Sequence, residues 1–467
     1  MTAMVWLRRD LRRADLPLLA AAHEHAQGAS VMVVFVLDPG FLDEAGAART
    51  AWLAATLLAL RESYEGQLSL LEGDATEVIP KLVTAHGITS VHVSTETEPH
   101  GAARDRLVAD TLTRAGVAWV ETGSPYAVTP GRVLTRAGGP HGTFSSFARV
   151  WAEHGWRAPA AEPPDLTLAP DASSPGAWAR VERLLQQAGA PDLPPAGEAA
   201  AEERWSQFLA EDLDDYSTRR DRADLHATSR LSPHLKLGVL HPRTLLADLA
   251  PRSGQGADRF RTELAWREFY ADVLHHHPES LESDLRATLA AMAYDHDEDH
   301  VEAWRRGVTG FPLVDAGMRQ LMATGWMHNR VRMVAASFLT KDLHVWWPIG
   351  AQWFLDHLID GDLASNTHGW QWVAGTGTDA APYFRIFNPV TQGLTHDPEG
   401  DYVRRWVPEL AHLSGPQVHQ PWEASDGYAH GYPARIVDHA HERQVALARL
   451  HQARHAGAPM STNDEQA

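Results

Sequence analysis

The sequence predicts an α/β domain with a parallel sheet at the N-terminus and an all-helical domain at the C-terminus. Over about the first 125 residues, short β-rich runs alternate with helical segments, an order typical of a parallel sheet with crossover helices. From about residue 196 the apolar pattern is that of long helices, and eleven of the seventeen tryptophans lie there. The intervening stretch 159–195 is rich in proline, which indicates a connector.

Five short runs are predicted to be strands and three longer runs to be helices. The predicted strands are 5–7, 31–37, 68–71, 90–94 and 117–120. The predicted helices are 49–63, 75–86 and 102–115. We therefore expect an α/β domain at 1–128, a linker at 129–195 and a helical domain at 196–467. Because no G-x-G-x-x-G follows the first strand, the sequence does not support a Rossmann dinucleotide site.

Composition limits the classes of function. The 467 residues include 41 basic and 60 acidic side chains and no cysteine, with a formal net charge of −19. The lack of cysteine excludes disulfides, thiol nucleophiles and cysteine-ligated metal, and we predict no metal site. The acidic balance argues against non-specific coating of DNA, although a local rim of arginines could still hold phosphates. No apolar run approaches the ~20 residues of a membrane span, so we do not expect a membrane protein. The lack of cysteine makes the cytoplasm the simplest compartment, and we expect a monomer.

The stretch 359–389, IDGDLASNTHGWQWVAGTGTDAAPYFRIFNP, carries the most specific pattern in the chain. Asp360, Asp362 and Asn366 lie in a glycine-containing turn before a helix, where carboxylate and amide groups can face a ring with several donors and acceptors. Taken alone, two aspartates in a turn are usually solvated helix caps. The whole string, together with VWLRRDLR at 5–12 and the segment 124–151, resembles the DNA photolyase and cryptochrome family, in particular class I photolyases for cyclobutane pyrimidine dimers. The resemblance covers almost the entire chain.

The segment 228–238, TSRLSPHLKLG, clusters hydroxyls and backbone amides before a helical run. Such a turn can hold a diphosphate, or it can simply be a capped helix start. The resemblance implies that it is the phosphate loop for FAD and that Asn366 lies beside flavin N5, with Asp360 paired to Arg332. The implied cofactor-binding residues are Tyr216, Thr228, Ser229, Arg230, Leu231, Ser232, Arg267, Arg332, Asp360, Gly361, Asp362 and Asn366.

The run ELAWREFY at 263–270 places Glu263, Trp266, Arg267 and Tyr270 on one helix face. An indole beside a carboxylate suits a flipped-out base, because the ring can stack on it and the carboxylate can accept its N–H. The alternative is an amphipathic helix with Trp266 in the core and Glu263 paired to Arg267. The resemblance implies the helix that binds the dimer, with Trp372 forming the opposite wall.

The run MHNRVRM at 327–333 places Asn329 and Met333 four residues apart on one helix face, although the same run could be a basic surface turn. The family implies a choice of substrate here: asparagine at position 329 resembles enzymes for cyclobutane dimers, whereas (6-4) photolyases and animal cryptochromes carry histidine. We expect the partner to be UV-damaged DNA with a flipped-out pyrimidine dimer. The expected DNA contacts are Arg220, Glu263, Trp266, Asn329, Arg330, Met333, Trp372 and Gln392, and the expected catalytic residues are Glu263, Asn329 and Asn366.

Trp370 and Trp347 match the first two members of the family's tryptophan relay, which carries electrons to the oxidised flavin. In general a tryptophan in a helical domain is simply core. The third position, usually tryptophan, is Tyr294 here. Oxidised tyrosine must lose its proton, so we expect photoreduction that is slower or more pH-dependent, with Trp346 or Trp304 as possible substitutes.

The resemblance also implies a light-harvesting antenna, which in relatives is a folate, a deazaflavin or a flavin. Gly101 stands where folate-binding relatives use an acidic residue, and the pattern Glu98-Pro99-His100-Gly101 looks closer to deazaflavin binders. A deazaflavin is therefore favoured over methenyltetrahydrofolate or FMN.

The leading hypothesis is a carbon–carbon lyase in which reduced FAD, excited by blue light, splits cyclobutane pyrimidine dimers in DNA. The second hypothesis is a cryptochrome photoreceptor, which would be expected to lose the cluster Glu263, Trp266 and Trp372 or to carry a long C-terminal extension. The third is a flavin-free helical DNA-binding protein, which requires the match at 360–372 to be a coincidence.

Overall fold

Residues 2–121 build a parallel five-stranded sheet. In the computed structural model the described residues are 2–187, 192–286, 289, 291–379 and 385–456. The strands are β1 (Thr2–Leu7), β2 (Val31–Leu37), β3 (Leu68–Glu72), β4 (Ile88–Val93) and β5 (Ala118–Glu121). They lie in the order β3-β2-β1-β4-β5, and every neighbouring pair is parallel.

The strands are continuous apolar runs because both faces of the sheet are covered. All seven residues of β2, VMVVFVL, are buried. Val33 pairs with Val5 on one side and with Leu68 on the other, so β2 lies inside the sheet. A strand covered by helices on both faces reads as an unbroken β-branched run rather than as an alternation, which is why 31–37 was readable from the sequence.

Two compact units make up the chain, and the first contains the sheet. It comprises Met1–Arg220, Ala227–Pro278 and Leu355–Ala364. Helices connect the strands, and further helices follow the sheet. They are α1 (Pro17–Ala26), α2 (Pro39–Glu44), α3 (Ala47–Ser63), α4 (Ala75–His86), α5 (Pro99–Arg114), α6 (Phe144–His154), α7 (Ala177–Gln187), α8 (Glu198–Glu211), α9 (Tyr216–Arg219), α10 (Ser232–Leu237), α11 (Pro242–Leu249) and α12 (Gln255–His276).

The order of the strands reverses between β1 and β4, and the loops that leave these two strands carry charged residues. In open parallel sheets, ligand-binding crevices form outside the carboxyl ends of the strands at such a reversal. Arg8 and Arg9 follow β1, and Glu96 and Glu98 follow β4. The fold therefore gathers these four residues at the carboxyl ends of the two neighbouring strands β1 and β4.

A short C-terminal segment, Leu355–Ala364, belongs to the first unit because it touches α3. Gly46, at the start of α3, approaches the backbone of Asp356 so closely that an added Cβ would overlap its carbonyl oxygen. Arg49 Nη1 also donates to the carbonyl of Leu355 at 3.1 Å. These contacts bring Asp360 and Asp362 into the unit that contains the sheet.

The second unit is helical and comprises Asp221–His226, Glu279–Phe354 and Ser365–Ala467. A π-helical turn, Phe338–Asp342, follows α15 and is entirely buried. The C-terminal helices of the chain are α13 (Glu298–Arg306), α14 (Pro312–Thr324), α15 (Asn329–Ser337), α16 (Trp347–His357), α17 (Leu363–Ala374), α18 (Pro389–His396), α19 (Asp401–Trp406) and α20 (His439–Ala456).

The predicted fold class is confirmed. All five predicted strands and the three predicted N-terminal helices are present with ends shifted by at most a few residues, and helices follow the sheet. The division at 128 and 195 stays a prediction. Among the described residues, no helix combines the length and apolarity needed to cross a membrane.

Candidate functional site

Asp362 lies in a buried group of charges in the first unit. Its Oδ2 accepts from Arg9 Nη2 at 3.0 Å and lies 3.7 Å from Lys236 Nζ. Arg9 also pairs with Glu98 at 2.7 Å. Burial opposes the charge on Arg9, but the neighbouring carboxylates outweigh it and raise the Arg9 pKa well above its usual value. For Lys236, burial outweighs the same carboxylates and lowers the pKa.

The loop 228–232, predicted to hold a diphosphate, is held by two hydrogen bonds from Arg204. The guanidinium of Arg204, on α8, donates to the carbonyls of Thr228 and Ser229, both at 3.0 Å. Arg230 adopts a φ of 52°, a left-handed conformation that non-glycine residues rarely hold without support. Among the described residues, the hydroxyls of Thr228 and Ser232 have no hydrogen-bond partner, so both are available to a ligand.

Two further predicted cofactor residues of the first unit are packed against neighbouring rings and carbonyls. Arg267 donates to the carbonyls of Pro125 and Leu235, both at 3.2 Å, and lies over the ring of Tyr126. Tyr216 is buried against Phe208 and Phe260. Both side chains are therefore held by neighbouring residues of the first unit.

The predicted lesion-binding helix is α12, and Glu263 on it is paired differently from the alternative in which it bonds Arg267. Its Oε1 accepts from Arg220, and Arg259 Nη2 lies 3.0 Å from the same oxygen. Within the part of the chain that the structure describes, Oε2 has no hydrogen-bond partner. Two cations thus fix the carboxylate and leave one oxygen for an N–H donor.

Trp266, one turn further along α12, is half-buried. Its indole stacks on Phe144 with ring centroids 3.7 Å apart and an interplanar angle of 5°. Trp266 is therefore not a fully buried core residue, as the alternative interpretation required.

In the second unit, Asn329 and Met333 lie together as their spacing predicted. Asn329 is exposed at the start of α15, and its Nδ2 lies 3.9 Å from Met333 Sδ. The adjacent Arg330 bonds Asp221 at 2.8 Å. Arg332 donates through Nε to the carbonyl of Met327 at 2.8 Å, which fixes the turn that precedes α15.

Other predicted residues of the second unit are half-buried. Asn366, on α17, donates through Nδ2 to the carbonyl of Ala351 at 2.9 Å. This bond leaves the amide oxygen to accept from another partner. Trp372 makes no ring contact with any described residue. The Oε1 atom of Gln392 is buried, and in the described ranges no hydrogen-bond donor reaches it. The part of the motif at 380–384 lies outside the described residues.

The predicted relay residues lie in the second unit. Trp370 and Trp347 are buried, and Trp347 Nε1 donates to Asp284 Oδ1 at 2.7 Å. Trp346 is 37% exposed, with its ring 6.4 Å from that of Trp347 and 6.5 Å from that of Tyr294.

The suggestion that Trp304 could be the surface donor is wrong, because Trp304 is fully buried and its indole donates to the carbonyl of Ala335. Trp346 is then the only one of the two suggested substitutes whose ring reaches solvent.

These residues fit FAD. Two uncommitted hydroxyls at the 228–232 loop suit phosphate oxygens, and the buried carboxylates Asp360 and Asp362 suit the N–H groups of a flavin and its sugar. Sequence reasoning missed Arg204 and Arg9, which position these groups. Arg9 had a weak signal, since it follows the first strand; Arg204 is a single arginine in a helix and had none.

Comparison with known proteins shows the family to which the chain belongs. The family model for DNA photolyase matches residues 3–165, and that for the FAD binding domain of DNA photolyase matches residues 260–452. A deoxyribodipyrimidine photo-lyase of Halobacterium salinarum is 39% identical, over 97% of this chain and 99% of the relative.

Solved structures are also similar. A class III photolyase from Agrobacterium tumefaciens has a TM-score of 0.86 and 37% identity, covering 97% of this chain and 98% of its own. A cryptochrome from Synechocystis sp. has a TM-score of 0.85 and 27% identity, covering 96% and 98%. The chain therefore belongs to the DNA photolyase family, as the motifs at 5–12 and 359–389 indicated.

Proposed function

We propose that this protein is a deoxyribodipyrimidine photolyase, which binds UV-damaged DNA and uses blue light to split cyclobutane pyrimidine dimers. The observation that carries the proposal is on α12, where an unengaged oxygen of Glu263 lies one helical turn from the half-buried indole of Trp266. Relatives named deoxyribodipyrimidine photo-lyase match at least 95% of the chain. We further propose that it acts as a cytoplasmic monomer.

Glu263 and Trp266 would recognise a pyrimidine dimer turned out of the duplex. The free Oε2 accepts the N3–H of a thymine, while the indole stacks on the base, a contact worth ~1–3 kcal/mol. Turning a nucleotide out costs a few kcal/mol and costs least for damaged, weakly paired bases. A dimer is therefore selected over intact thymines.

In the second unit we propose DNA contacts through Asn329, Arg330, Met333, Trp372 and Gln392. Asn329 is exposed, and Trp372 has no ring partner among the described residues, so both can meet a ligand. Arg330 would exchange Asp221 for a phosphate, which an arginine binds well in two-pronged geometry. We propose that Asn329 selects cyclobutane dimers.

FAD is the proposed cofactor. When bound in its reduced form, it supplies the electron that light delivers to the dimer. In the first unit, Thr228 and Ser232 would donate to its diphosphate, and Asp360 and Asp362 would accept from its N–H and hydroxyl groups. In the second unit, Asn366 would present its amide to the flavin ring, since its Nδ2 is held by Ala351.

Trp370 and Trp347 are the proposed inner members of an electron relay. Asp284 accepts the indole N–H of Trp347, and a nearby carboxylate stabilises a positively charged indole. Trp346 and Tyr294 are the proposed outer members, an assignment that the ring separations of 6.4 and 6.5 Å support.

A second, light-harvesting chromophore is expected in the first unit, and we propose a deazaflavin. The Glu96 side chain lies against Gly101, 2.7 Å from where a Cβ would stand. An acidic side chain at position 101, as in folate-binding relatives, would therefore clash with Glu96. The absorption spectrum of the purified protein distinguishes the three pigments.

The test of repair uses the purified holoprotein with its flavin reduced. It is mixed with oligothymidine containing cyclobutane dimers, and the recovery of thymine absorbance is followed under blue light and in the dark. We expect light-dependent recovery, and a large loss in Glu263→Ala. The matched control is Glu77→Gln, which removes another glutamate paired with a cation on a helix of the same unit, 3.0 Å from Lys81.

No recovery by the unmodified protein would refute the repair function and favour a photoreceptor. Full recovery by Glu263→Ala, at the rate of the unmodified protein, would refute the role of Glu263 alone.

A further inference from the structure

Among the described residues of the first unit, Phe144 and Trp266 form the closest ring stack. Their centroids are 3.7 Å apart and their planes differ by 5°, which is near-parallel contact. Phe269, which is completely buried, touches both rings edge-on, at 5.9 Å from Phe144 and 5.8 Å from Trp266. Because the same core residue meets both rings at their edges, the stacked pair rests against the core, and Phe144 covers one whole face of the Trp266 indole.

The helix that carries Phe144 is locked to the helix that carries Trp266. Glu268, on α12, is 2% exposed and accepts from the indole nitrogen of Trp151, on α6, at 2.6 Å. The same carboxylate accepts from the backbone of Ala127 and Val128 at 2.5 and 3.0 Å. The bond from Trp151 therefore ties α6, which also carries Phe144, to α12, and the two backbone donors hold the carboxylate that accepts it.

We propose that Phe144 is a positioning residue for lesion recognition: it covers one face of the Trp266 indole and holds the ring in place, so that the other face can serve as a platform for the pyrimidine dimer. The proposal rests on the proposed function, since it needs Trp266 to bind the lesion. A side chain whose rotamer is already held loses less conformational freedom when it stacks on a ligand than a mobile side chain does. Phe144 acts through Trp266 and does not itself touch the DNA.

The opposite possibility is that Phe144 covers the face that the lesion must use, as an autoinhibitory contact. The two possibilities give opposite signs when the ring is removed. If Phe144 supports Trp266, removing its ring weakens lesion binding; if Phe144 obstructs Trp266, removing its ring tightens lesion binding.

The experiment measures binding of the flavin-loaded protein in the dark. The ligands are an oligothymidine with one cyclobutane dimer and the same oligonucleotide without it. For Phe144→Leu we expect the dissociation constant for the dimer to rise about two- to tenfold, as for loss of one aromatic pair, with no change for the undamaged strand. Phe144→Tyr keeps the ring and should restore the discrimination.

A double-mutant comparison separates positioning from general destabilisation. In a Trp266→Leu background, Phe144→Leu should add no further loss of dimer binding, because its effect passes through the missing indole. Flavin content and thermal midpoint are measured on every variant, so that an unfolded protein is recognised and only Phe144→Tyr and Phe144→Leu samples with bound flavin are compared.

Three results would overturn the proposal: tighter dimer binding by Phe144→Leu, equal weakening for damaged and undamaged strands, or a full additive loss in the Trp266→Leu background. Failure of the proposed function is seen separately. In that case the unmodified protein itself would not prefer the dimer-containing strand and would not repair it in the light.

Discussion

Arg9 and Asp362, which are 353 positions apart in the chain, form a nearly buried ion pair at 3.0 Å. Arg9 follows the first strand, and Asp362 belongs to the predicted flavin motif. The same guanidinium serves Glu98, so one cation organises two acidic loops of the first unit. Asp362 is therefore positioned by the sheet domain, although its motif lies in the C-terminal third of the sequence.

Arg9→Gln should release Asp362 and lower the content of bound FAD. Breaking a buried ion pair by removing one partner costs up to ~3–5 kcal/mol, and the cost is reduced here because Lys236 lies 3.7 Å from Asp362. We expect a lower thermal midpoint and a lower ratio of flavin to protein absorbance after purification. Arg9→Lys keeps the charge but not the two-pronged geometry, so it should recover part of both. Unchanged flavin content in Arg9→Gln would show that Asp362 does not depend on Arg9.

Local features were readable from the sequence, and distant contacts were not. The strand 31–37 and the contact of Asn329 with Met333 follow from spacing, because burial on both faces and a four-residue helical repeat are local rules. Three contacts of the site join different elements and could not be read in this way. They are the bonds from Arg204 to the 228–232 loop, the pairing of Glu263 with Arg220 and the stack of Phe144 on Trp266. A single sequence contains no periodicity that reports such contacts.

Gly350→Ala should disturb Trp370 and slow photoreduction of the flavin. A Cβ at Gly350, on α16, would overlap the six-membered ring of Trp370 and lie 2.6 Å from Leu339 Cδ2. Overpacking of this kind costs ~1–3 kcal/mol and forces the indole to move. The measurements are the thermal midpoint and the rate of light-driven flavin bleaching.

Gly369→Ala is the matched control for Gly350→Ala. An added Cβ at Gly369, inside α17, meets no atom within 4 Å, and replacing glycine by alanine in a helix stabilises by up to ~1 kcal/mol. We expect its thermal midpoint to stay or rise. Equal thermal midpoints and equal rates of flavin bleaching in the two variants would mean that the packing of Trp370 against Gly350 affects neither stability nor photoreduction.

Acid should destabilise the first unit through His92. This histidine of β4 is 1% exposed, and burial, with a smaller contribution from His25, lowers its pKa to about 4. In the unfolded chain this histidine takes up a proton as the pH falls through about 6.5, whereas in the folded chain it does so only near pH 4. The stability that the neutral, buried His92 gives the fold is therefore complete above about pH 6.5 and is lost as the pH falls towards 4.

The measurement is the free energy of unfolding as a function of pH. His92→Gln should reduce its slope between about pH 6.5 and 4 by at most ~1.4 kcal/mol per pH unit. His86→Gln, an exposed histidine at the end of α4, is the control. An unaltered slope in His92→Gln would contradict the assignment.

Trp346, more than Tyr294, should set the rate at which electrons enter the relay. Burial, with a smaller contribution from Asp284, raises the pKa of the Tyr294 phenol, and an oxidised phenol must give up its proton. Trp346 is 37% exposed, and its ring lies 6.4 Å from that of Trp347 and 6.5 Å from that of Tyr294. Water can therefore stabilise its positive charge and take its proton.

Trp346→Phe should therefore slow photoreduction about tenfold or more, equivalent to at least ~1.4 kcal/mol in the barrier, with a smaller effect for Tyr294→Phe. Transient absorption supplies a readout apart from repair, because neutral tryptophanyl and tyrosyl radicals absorb at different wavelengths. We expect the tryptophanyl signal in the unmodified protein and in Tyr294→Phe. A dominant tyrosyl signal that disappears in Tyr294→Phe, together with normal kinetics in Trp346→Phe, would assign the outer position to Tyr294 instead. Either residue could donate in the absence of the other, so photoreduction should be slower in the double variant than in either single variant. Repair by the double variant, measured with chemically reduced flavin, should persist.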